Sequence, residues 1–321
     1  MYEENLKMSD YVIIPDSSCD LTKDLRDRFD IPDYIRGVLY FPDGHSELAD
    51  IDWTKMSAKE YYDSMKGRNV LYKTACPPGE EIIEKFEKHL KEGKDIISPV
   101  LSTALSATYN DVTQVAKELM KKYPERRIVV IDSLRYSTSL ALLCISAAIK
   151  RQEGASFDEV VSYLETEKYR IHQMGTMDDL FFLVKTGRVS NFKAFFGSMV
   201  GLNVLADFNE KGLSEPIARL KGKKDAFKAI IEYIDKTIEN PSEQIMFIAH
   251  SNREEAAKLL AEQVKERFNP KELIVGDVGV SCGASIGPGL CAVFYKGAPA
   301  SAGLEKEKAI MDEICAQIKS K

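Results

Sequence analysis

Val100-Leu101-Ser102-Thr103-Ala104-Leu105-Ser106-Ala107-Thr108-Tyr109 sits between two different periodicities. Before it, Asp95-Ile96-Ile97-Ser98-Pro99-Val100-Leu101 is a short apolar run that reads as a buried strand. After it, Val112, Val115, Ala116, Leu119 and Met120 recur at helical spacing. The stretch is therefore a strand-to-helix turn, and it carries the Ser/Thr hydroxyls of Ser102, Thr103, Ser106 and Thr108. A helix start presents unpaired N–H groups and a partial positive charge. Hydroxyls beside it can help hold a phosphate or a carboxylate. They also act as plain N-caps, which Ser and Thr supply whatever the function. Both readings stay open on the turn alone.

Strand and helix alternate on either side of this turn. Tyr11 to Pro15 reads as a first strand ending in Asp16-Ser17-Ser18-Cys19-Asp20, with a helix capped by Thr22 after it. Ile35 to Phe41 is extended and stops at the turn signal Pro42-Asp43-Gly44, and His45 to Met56 reads as loop. Ala58 to Met65 is helical, and Val70 to Ala75 is a strand closing into Pro77-Pro78-Gly79. Ile82, Ile83, Phe86 and Leu90 mark an amphipathic helix ended by Gly93. Arg127 to Ser133 is a fourth strand, and the apolar run Leu140 to Ile149 suits a buried helix. Such alternation predicts a parallel sheet covered on both faces, with ligands at the carboxyl ends of its strands. Those ends are Asp16/Ser17/Ser18, Thr74, Ser102/Ser106 and Asp132/Ser133, rich in neutral donors.

Beyond Gly154 the texture changes. Ser156-Phe157-Asp158-Glu159 is a capping box. Arg170 to Thr176 alternates like a half-buried strand, and Met177 to Val184 reads as a helix ended by Gly187. Val200 to Phe208 and Leu213 to Leu220, joined by Asn209-Glu210-Lys211-Gly212, predict a hairpin. Helices follow at 225–238 and 252–268, with strands at 245–250, 274–280 and 292–295 and a last helix carrying Ile310, Ile314 and Ile318. Hairpins among helices predict a mixed or antiparallel sheet. The expected fold class is α/β in two domains: an N-terminal parallel-sheet (Rossmann-like) domain over residues 1–159 and a C-terminal mixed/antiparallel α/β domain over 160–321, with the ligand between them. A chain of 321 residues exceeds the usual ceiling for one core, which supports the division.

Composition excludes several classes. With 44 basic against 50 acidic residues, the net charge of −6 argues against a broad nucleic-acid surface. The polar start Met1-Tyr2-Glu3-Glu4 does not read as a signal peptide, and the longest apolar stretch is too short to span a bilayer. The six cysteines are scattered without Cys-x-x-Cys spacing, which predicts free thiols in a reducing cytoplasm and no metal site. There is no Gly-x-x-x-x-Gly-Lys-Ser/Thr loop and no Gly-x-Gly-x-x-Gly after the first strand, so nothing argues for a nucleotide. Gly283-Ala284-Ser285-Ile286-Gly287 fits the Gly-x-Ser-x-Gly nucleophile elbow. Yet Pro288-Gly289 stands where a helix should continue, and all four histidines (His45, His89, His172, His250) precede the serine, against the hydrolase order.

Six short motifs in order resemble the DegV family of bacterial lipid-binding proteins. Asp16-Ser17-Ser18-Cys19-Asp20-Leu21 resembles its Asp-Ser-x-x-Asp-Leu opening, and Lys73-Thr74-Ala75-Cys76-Pro77 its Lys-Thr-Ser-Gln-Pro. Leu105-Ser106-Ala107-Thr108-Tyr109 is similar to Leu-Ser-Gly-Thr-Tyr, and Ile131-Asp132-Ser133 to its Val-Ile-Asp-Ser strand end. Asp178-Asp179-Leu180 with Lys185-Thr186-Gly187-Arg188-Val189-Ser190 resembles Asp-Asp-Leu with Lys-Gly-Gly-Arg-Ile-Ser, and Gly287-Pro288-Gly289 its late Gly-Pro-Gly. The resemblance implies a long-chain fatty acid held in a tunnel, with no cofactor. Its carboxyl group would be bound by Thr74 and Ser106 and presented to a separate ATP-dependent fatty acid kinase. The chain would then be a carrier rather than an enzyme on its own. Ser17, Ser18, Ser102, Ser285 and Arg188 are candidate supports of the head site, Arg188 through the second domain's core, the kinase contact or a salt bridge. The apolar residues of Phe181-Phe182-Leu183 and Phe192, Phe195-Phe196 and Met199 could line the tunnel or fill a core. Ser285 stands where family members carry a His two residues before Gly-Pro-Gly, and Ala107 replaces the motif's Gly. The alternative readings are a carrier of a different small amphiphile or anion with an altered head site, and a serine hydrolase using Ser285.

Overall fold

The computed structural model describes residues 10–188 and 202–320. In chain order the first half contains β1 (Tyr11–Ile13), α1 (Lys23–Phe29), β2 (Val38–Tyr40), β3 (Ser46–Leu48), α2 (Ala58–Met65), β4 (Lys73–Ala75), α3 (Gly79–Lys91), β5 (Asp95–Val100), α4 (Thr108–Lys122), β6 (Ile128–Asp132) and α5 (Ser137–Gln152). Strands β1, β5 and β6 form a parallel sheet in the order β1-β5-β6. Strand β5 is buried along its whole length, as the middle of such a sheet requires.

The parallel sheet has three strands, not four. Strand β4 pairs antiparallel with β2, Thr74 opposite Leu39, in a separate ribbon of order β3-β2-β4. These strands are three residues long and partly exposed, a pattern that an antiparallel ribbon tolerates and a doubly covered parallel sheet does not. Strand β3 lies in the segment expected to be loop. It pairs with β2 across the Pro42-Asp43-Gly44 turn, where Gly44 takes a φ of 95°. Thr74 is therefore not at the carboxyl end of a parallel strand.

The second half contains α6 (Phe157–Glu167), β7 (Ile171–Met177), α7 (Phe181–Thr186), β8 (Leu202–Phe208), β9 (Ser214–Lys221), α8 (Lys223–Thr237), β10 (Ile245–His250), α9 (Glu254–Phe268), β11 (Glu272–Asp277), α10 (Val280–Ile286), β12 (Leu290–Lys296) and α11 (Glu305–Lys319). The capping box at Ser156 and Glu159 forms as expected and opens α6. Six strands make one mixed sheet in the order β11-β10-β12-β7-β8-β9, in which only β10 and β11 run parallel. The hairpin β8–β9 is where the sequence places it. Strand β7 is buried on both faces rather than alternating.

Helix α5 explains its own apolar sequence. It is buried from Ser137 to Ala148 and packs on β1 and β5 of the parallel sheet and on β7, β10 and β12 of the mixed sheet. Just before it, the buried guanidinium of Arg135 lies 4.5 Å from the Phe208 ring centroid. Helix α10 was not expected, because glycines at 279 and 283 depress helix propensity. Here they are packing residues: a Cβ on Gly283 would come within 2.5 Å of the Tyr62 hydroxyl. Although late in the chain, α10 packs on β2, β4 and α2. Tyr62 donates its hydroxyl to the Val278 carbonyl at 2.6 Å, and Tyr61 to Val280 at 3.3 Å. Among the described residues, no helix is long and apolar enough to cross a membrane.

Candidate functional site

The strand-to-helix turn divides its hydroxyls between two jobs. Ser102 is fully buried and closes the turn. Its N–H donates to the Arg135 carbonyl at 3.1 Å, its carbonyl accepts from Leu105 and Ser106, and its Oγ accepts from the Ala104 N–H at 3.3 Å. Ser102 is not on the cavity wall. Thr103 donates to Asp132 Oδ2 at 2.6 Å and ties the turn to the end of β6. Ser106 Oγ accepts from the Thr108 N–H at 3.3 Å and lies 2.9 Å from Thr108 Oγ1 and 3.6 Å from Cys76 Sγ. Ser106 thus caps the first turn of α4 and also faces a cavity of about 350 Å³, a volume within the roughly 300–1,000 Å³ of small-molecule pockets.

Thr74, Ser17, Ser18, Ser285 and Arg188 all line the same cavity. Ser18 donates its N–H to Asp16 Oδ1 at 2.6 Å, and its hydroxyl donates to the same oxygen. The second oxygen of Asp16 accepts from the Leu101 N–H at 2.6 Å. Burial raises the Asp16 pKa, and these hydrogen bonds oppose the rise. Asp16 therefore fastens the ends of β1 and β5 together and has little capacity left to act as a base. Ser17 Oγ accepts from the Gly37 N–H at 3.1 Å and shares a 2.9 Å hydrogen bond with Ser281 Oγ on α10.

Ser281 and Ser285 are four residues apart on one helix and both line the cavity, as does Cys282, which reaches the Ser18 carbonyl at 3.6 Å. The sequence reading missed Ser281 and Cys282 because it ran a strand to Val280. The i, i+4 spacing of the two serines was the available signal. Ser285 lies inside α10, not at a strand-to-helix elbow, and none of the four histidines lines the cavity. A Ser–His pair for nucleophilic attack is thus not assembled there.

The mixed sheet supplies the apolar wall. Ala292, Gly175 and Ala206 lie in register across β12, β7 and β8, and Leu290, Met177 and Val204 form the adjacent row. All six line the cavity. A Cβ on Gly175 would overlap Ala292, so the row of small residues makes a trough. Leu180, Leu183 and Ile286 add to the wall. Phe182 instead packs beneath Gly287, and Phe181 stacks with Arg68 at 5.0 Å, so neither lines the cavity. Phe192, Phe195, Phe196 and Met199 lie outside the described residues.

Arg188 follows Gly187, the left-handed C-cap of α7 at φ 72°. It is exposed, donates to the Thr186 carbonyl at 2.6 Å, and has no carboxylate partner among the described residues. Apart from the spent Asp16, it is the one charged side chain among the described lining residues. Four further polar residues on the wall were not anticipated: Tyr136, Gln173, Thr176 and Ser214. The arrangement offers neutral donors on one set of elements, hydrocarbon on another and a cation at 188, which suits binding an amphiphilic anion more than bond cleavage. Among the described residues, no group of three or more His, Cys, Asp or Glu is placed to hold a metal ion.

A family model described as an uncharacterised protein of the DegV family matches residues 10–297. A DegV domain-containing protein of Clostridium perfringens is 32% identical over 290 residues, 90% of this chain and 98% of that protein. A DegV family protein from Thermus thermophilus, described as binding fatty acid, superposes with a TM-score of 0.80 at 22% identity, covering 89% of this chain and 99% of its own. A DegV family protein from Ruminococcus gnavus, refined with vaccenic acid, gives a TM-score of 0.78 at 22% identity over 88% of this chain and 99% of its own. With four of its six motifs contributing residues to one cavity and its match running almost from end to end, the chain belongs to the DegV family.

Proposed function

We propose that this protein carries a long-chain fatty acid in the cavity and presents its carboxyl group to a separate ATP-dependent kinase. The observation that carries the reading is the pairing, in one cavity, of the Ser106 and Thr74 hydroxyls with an apolar trough across β12, β7 and β8. Hydroxyls donate to a carboxylate through short, charge-assisted hydrogen bonds. The acyl chain supplies most of the affinity, on the order of 10 kcal/mol before ordering costs at about 0.8 kcal/mol per buried CH₂. Ser285 on α10 offers another neutral donor where relatives are expected to place His. The guanidinium of Arg188, which has no carboxylate partner among the described residues, then supplies positive charge, either to the head group or to the kinase.

On this reading the phosphoryl chemistry belongs to the partner. The chain carries no phosphate-binding loop, and its cavity holds no histidine. Residues 1–159 supply the head site and residues 160–321 the acyl wall, with α10 reaching back to complete the head site. We place the protein in the cytoplasm, where its six thiols stay reduced.

The test is mixing the lipid-loaded protein with the kinase and ATP. Acyl phosphate formed with wild type, and lost with Thr74→Val/Ser106→Ala, is the expected result. A loaded protein that yields no acyl phosphate contradicts presentation, while bound lipid that survives the double substitution contradicts the head-site assignment. Replacement of the family His by Ser285 favours one second reading, a carrier of another amphiphile. Solvent extracts containing a stoichiometric lipid without a carboxyl group would select it.

A further inference from the structure

Three polar side chains on the cavity wall bond to one another. Tyr136 precedes α5, Gln173 is on β7 and Ser214 is on β9, and all three line the cavity. Tyr136 donates its hydroxyl to Gln173 Oε1 at 2.7 Å. Gln173 Nε2 donates to Ser214 Oγ at 2.5 Å. With both of those hydrogens spent, the 2.9 Å contact between Ser214 Oγ and the Tyr136 hydroxyl has Ser214 as donor. The three side chains form a closed ring in which each donates once and accepts once.

Hydrogen counting leaves one group over. A carboxamide has two N–H donors, and only one is used. The second N–H of Gln173 has no partner among the described residues, although the side chain is 95% out of solvent, with only 5% exposed. The ring is firmly held. The Tyr136 ring stands edge-on to Phe208 at 5.3 Å, Ser214 is opposite Phe208, and Gln173 is opposite Phe294. The Gln173 backbone N–H is fixed by Asp207 Oδ1 at 2.9 Å. A plain polymethylene chain lying here would bury an unpaired donor against hydrocarbon, which is costly. The ring is carried by β7, β9 and the residue before α5, not by the elements that carry Ser106 and Thr74.

We infer that Tyr136, Gln173 and Ser214 form a second polar subsite that recognises an oxygen along the acyl chain, so that the preferred ligands are hydroxy or oxo fatty acids. The chain oxygen accepts from the free Gln173 N–H. A hydroxyl also donates to a lone pair of the ring. The inference rests on the fatty-acid reading and adds a chemical preference within it.

The test uses delipidated full-length protein and compares stearic acid with a positional series of hydroxystearic and oxostearic acids by competitive binding. At least one position should bind about tenfold more tightly than stearic acid, the worth of one buried hydrogen bond. Gln173→Leu should erase that ratio. Tyr136→Phe keeps the ring packed on Phe208 and should lower the ratio in the same direction, which carries the test if the leucine variant does not fold. Stearic acid binding as tightly as every oxygenated isomer would overturn the subsite and leave the ring as wall structure or a water site. Failure to bind any acid, plain or oxygenated, would overturn the fatty-acid reading with it.

Discussion

Ser106 holds two positions at once. It receives the Thr108 N–H at the start of α4, lies beside Cys76 and Thr108, and faces the cavity that Thr74 also lines. A hydroxyl has one hydrogen and two lone pairs, so it can cap the helix with a lone pair and still donate to a bound anion. Removing it therefore costs a cap as well as a ligand contact. Thr74→Val/Ser106→Ala should weaken fatty-acid binding by about 100- to 10,000-fold, since it removes two hydrogen bonds to a charged group at about 1.5–3 kcal/mol each. Competitive binding of a fluorescent fatty acid measures this, and an unchanged affinity counts against the head site. Tyr62→Phe should lower unfolding stability by about 1–3 kcal/mol by leaving the Val278 carbonyl unpaired in the interior. Urea denaturation reads that loss, and a neutral result would mean that α10 is held by packing alone. Thr74, Ser106, Ser17, Ser18, Ser285 and Arg188 were legible as residue types at strand ends and in motifs. Ser102 was legible as a turn hydroxyl, but its direction was not, because side-chain orientation in a tight turn depends on partners such as Arg135 that are distant in sequence.

At the scale of elements, the cavity exists because small residues line up across three strands. Gly175→Ala should both destabilise the sheet and close the trough. Its Cβ would overlap Ala292 on the neighbouring strand, and overpacking costs about 1–3 kcal/mol. A lower melting temperature together with lower lipid occupancy is expected. Full occupancy with an intact melting temperature would place the acyl chain elsewhere. The long periodic elements were readable: α2, α5, α6, β10 and the β8–β9 hairpin fall where apolar spacing and caps put them. The short ones were not. Strand β4 looked like part of the parallel sheet because three residues carry no information about pairing partner. Helix α10 was hidden by glycines that are present for contact with Tyr62 and Asp20 rather than for a turn. Helix α7 begins later than expected because Met177 completes β7 opposite Leu290.

For the whole molecule, one buried ion pair links the sheet to its helices. His172 Nδ1 lies 2.7 Å from Asp207 Oδ2, its Nε2 lies 2.8 Å from the Ala298 carbonyl, and Tyr233 donates to Asp207 at 2.7 Å. Burial works against charge on His172, but the Asp207 carboxylate outweighs it and holds the imidazole above its ordinary value of 6.5. Burial likewise opposes ionised Asp207, and His172 holds that carboxyl below its ordinary 3.8. A raised histidine contributes stability in full below 6.5 and loses it as pH rises through the folded value. A lowered aspartate contributes above 3.8 and loses it as pH falls through its folded value. The pair therefore stabilises most between those two ordinary values. The melting-temperature gap between wild type and His172→Gln should be widest near about pH 5–6 and shrink as pH rises through the folded histidine value. A gap that instead narrows as pH falls below 6.5 would mean that His172 is neutral in the folded protein.

A bound acid should raise the melting temperature as its concentration passes the dissociation constant, by about 2.7 kcal/mol of stability at a hundredfold excess over it. The most direct test of the central claim is mass spectrometry of solvent extracts from the purified protein, paired with a native spectrum of the intact chain. The account predicts one long-chain fatty acid per chain, absent from Thr74→Val/Ser106→Ala. A purified protein that carries no acid and takes up none on addition would contradict it.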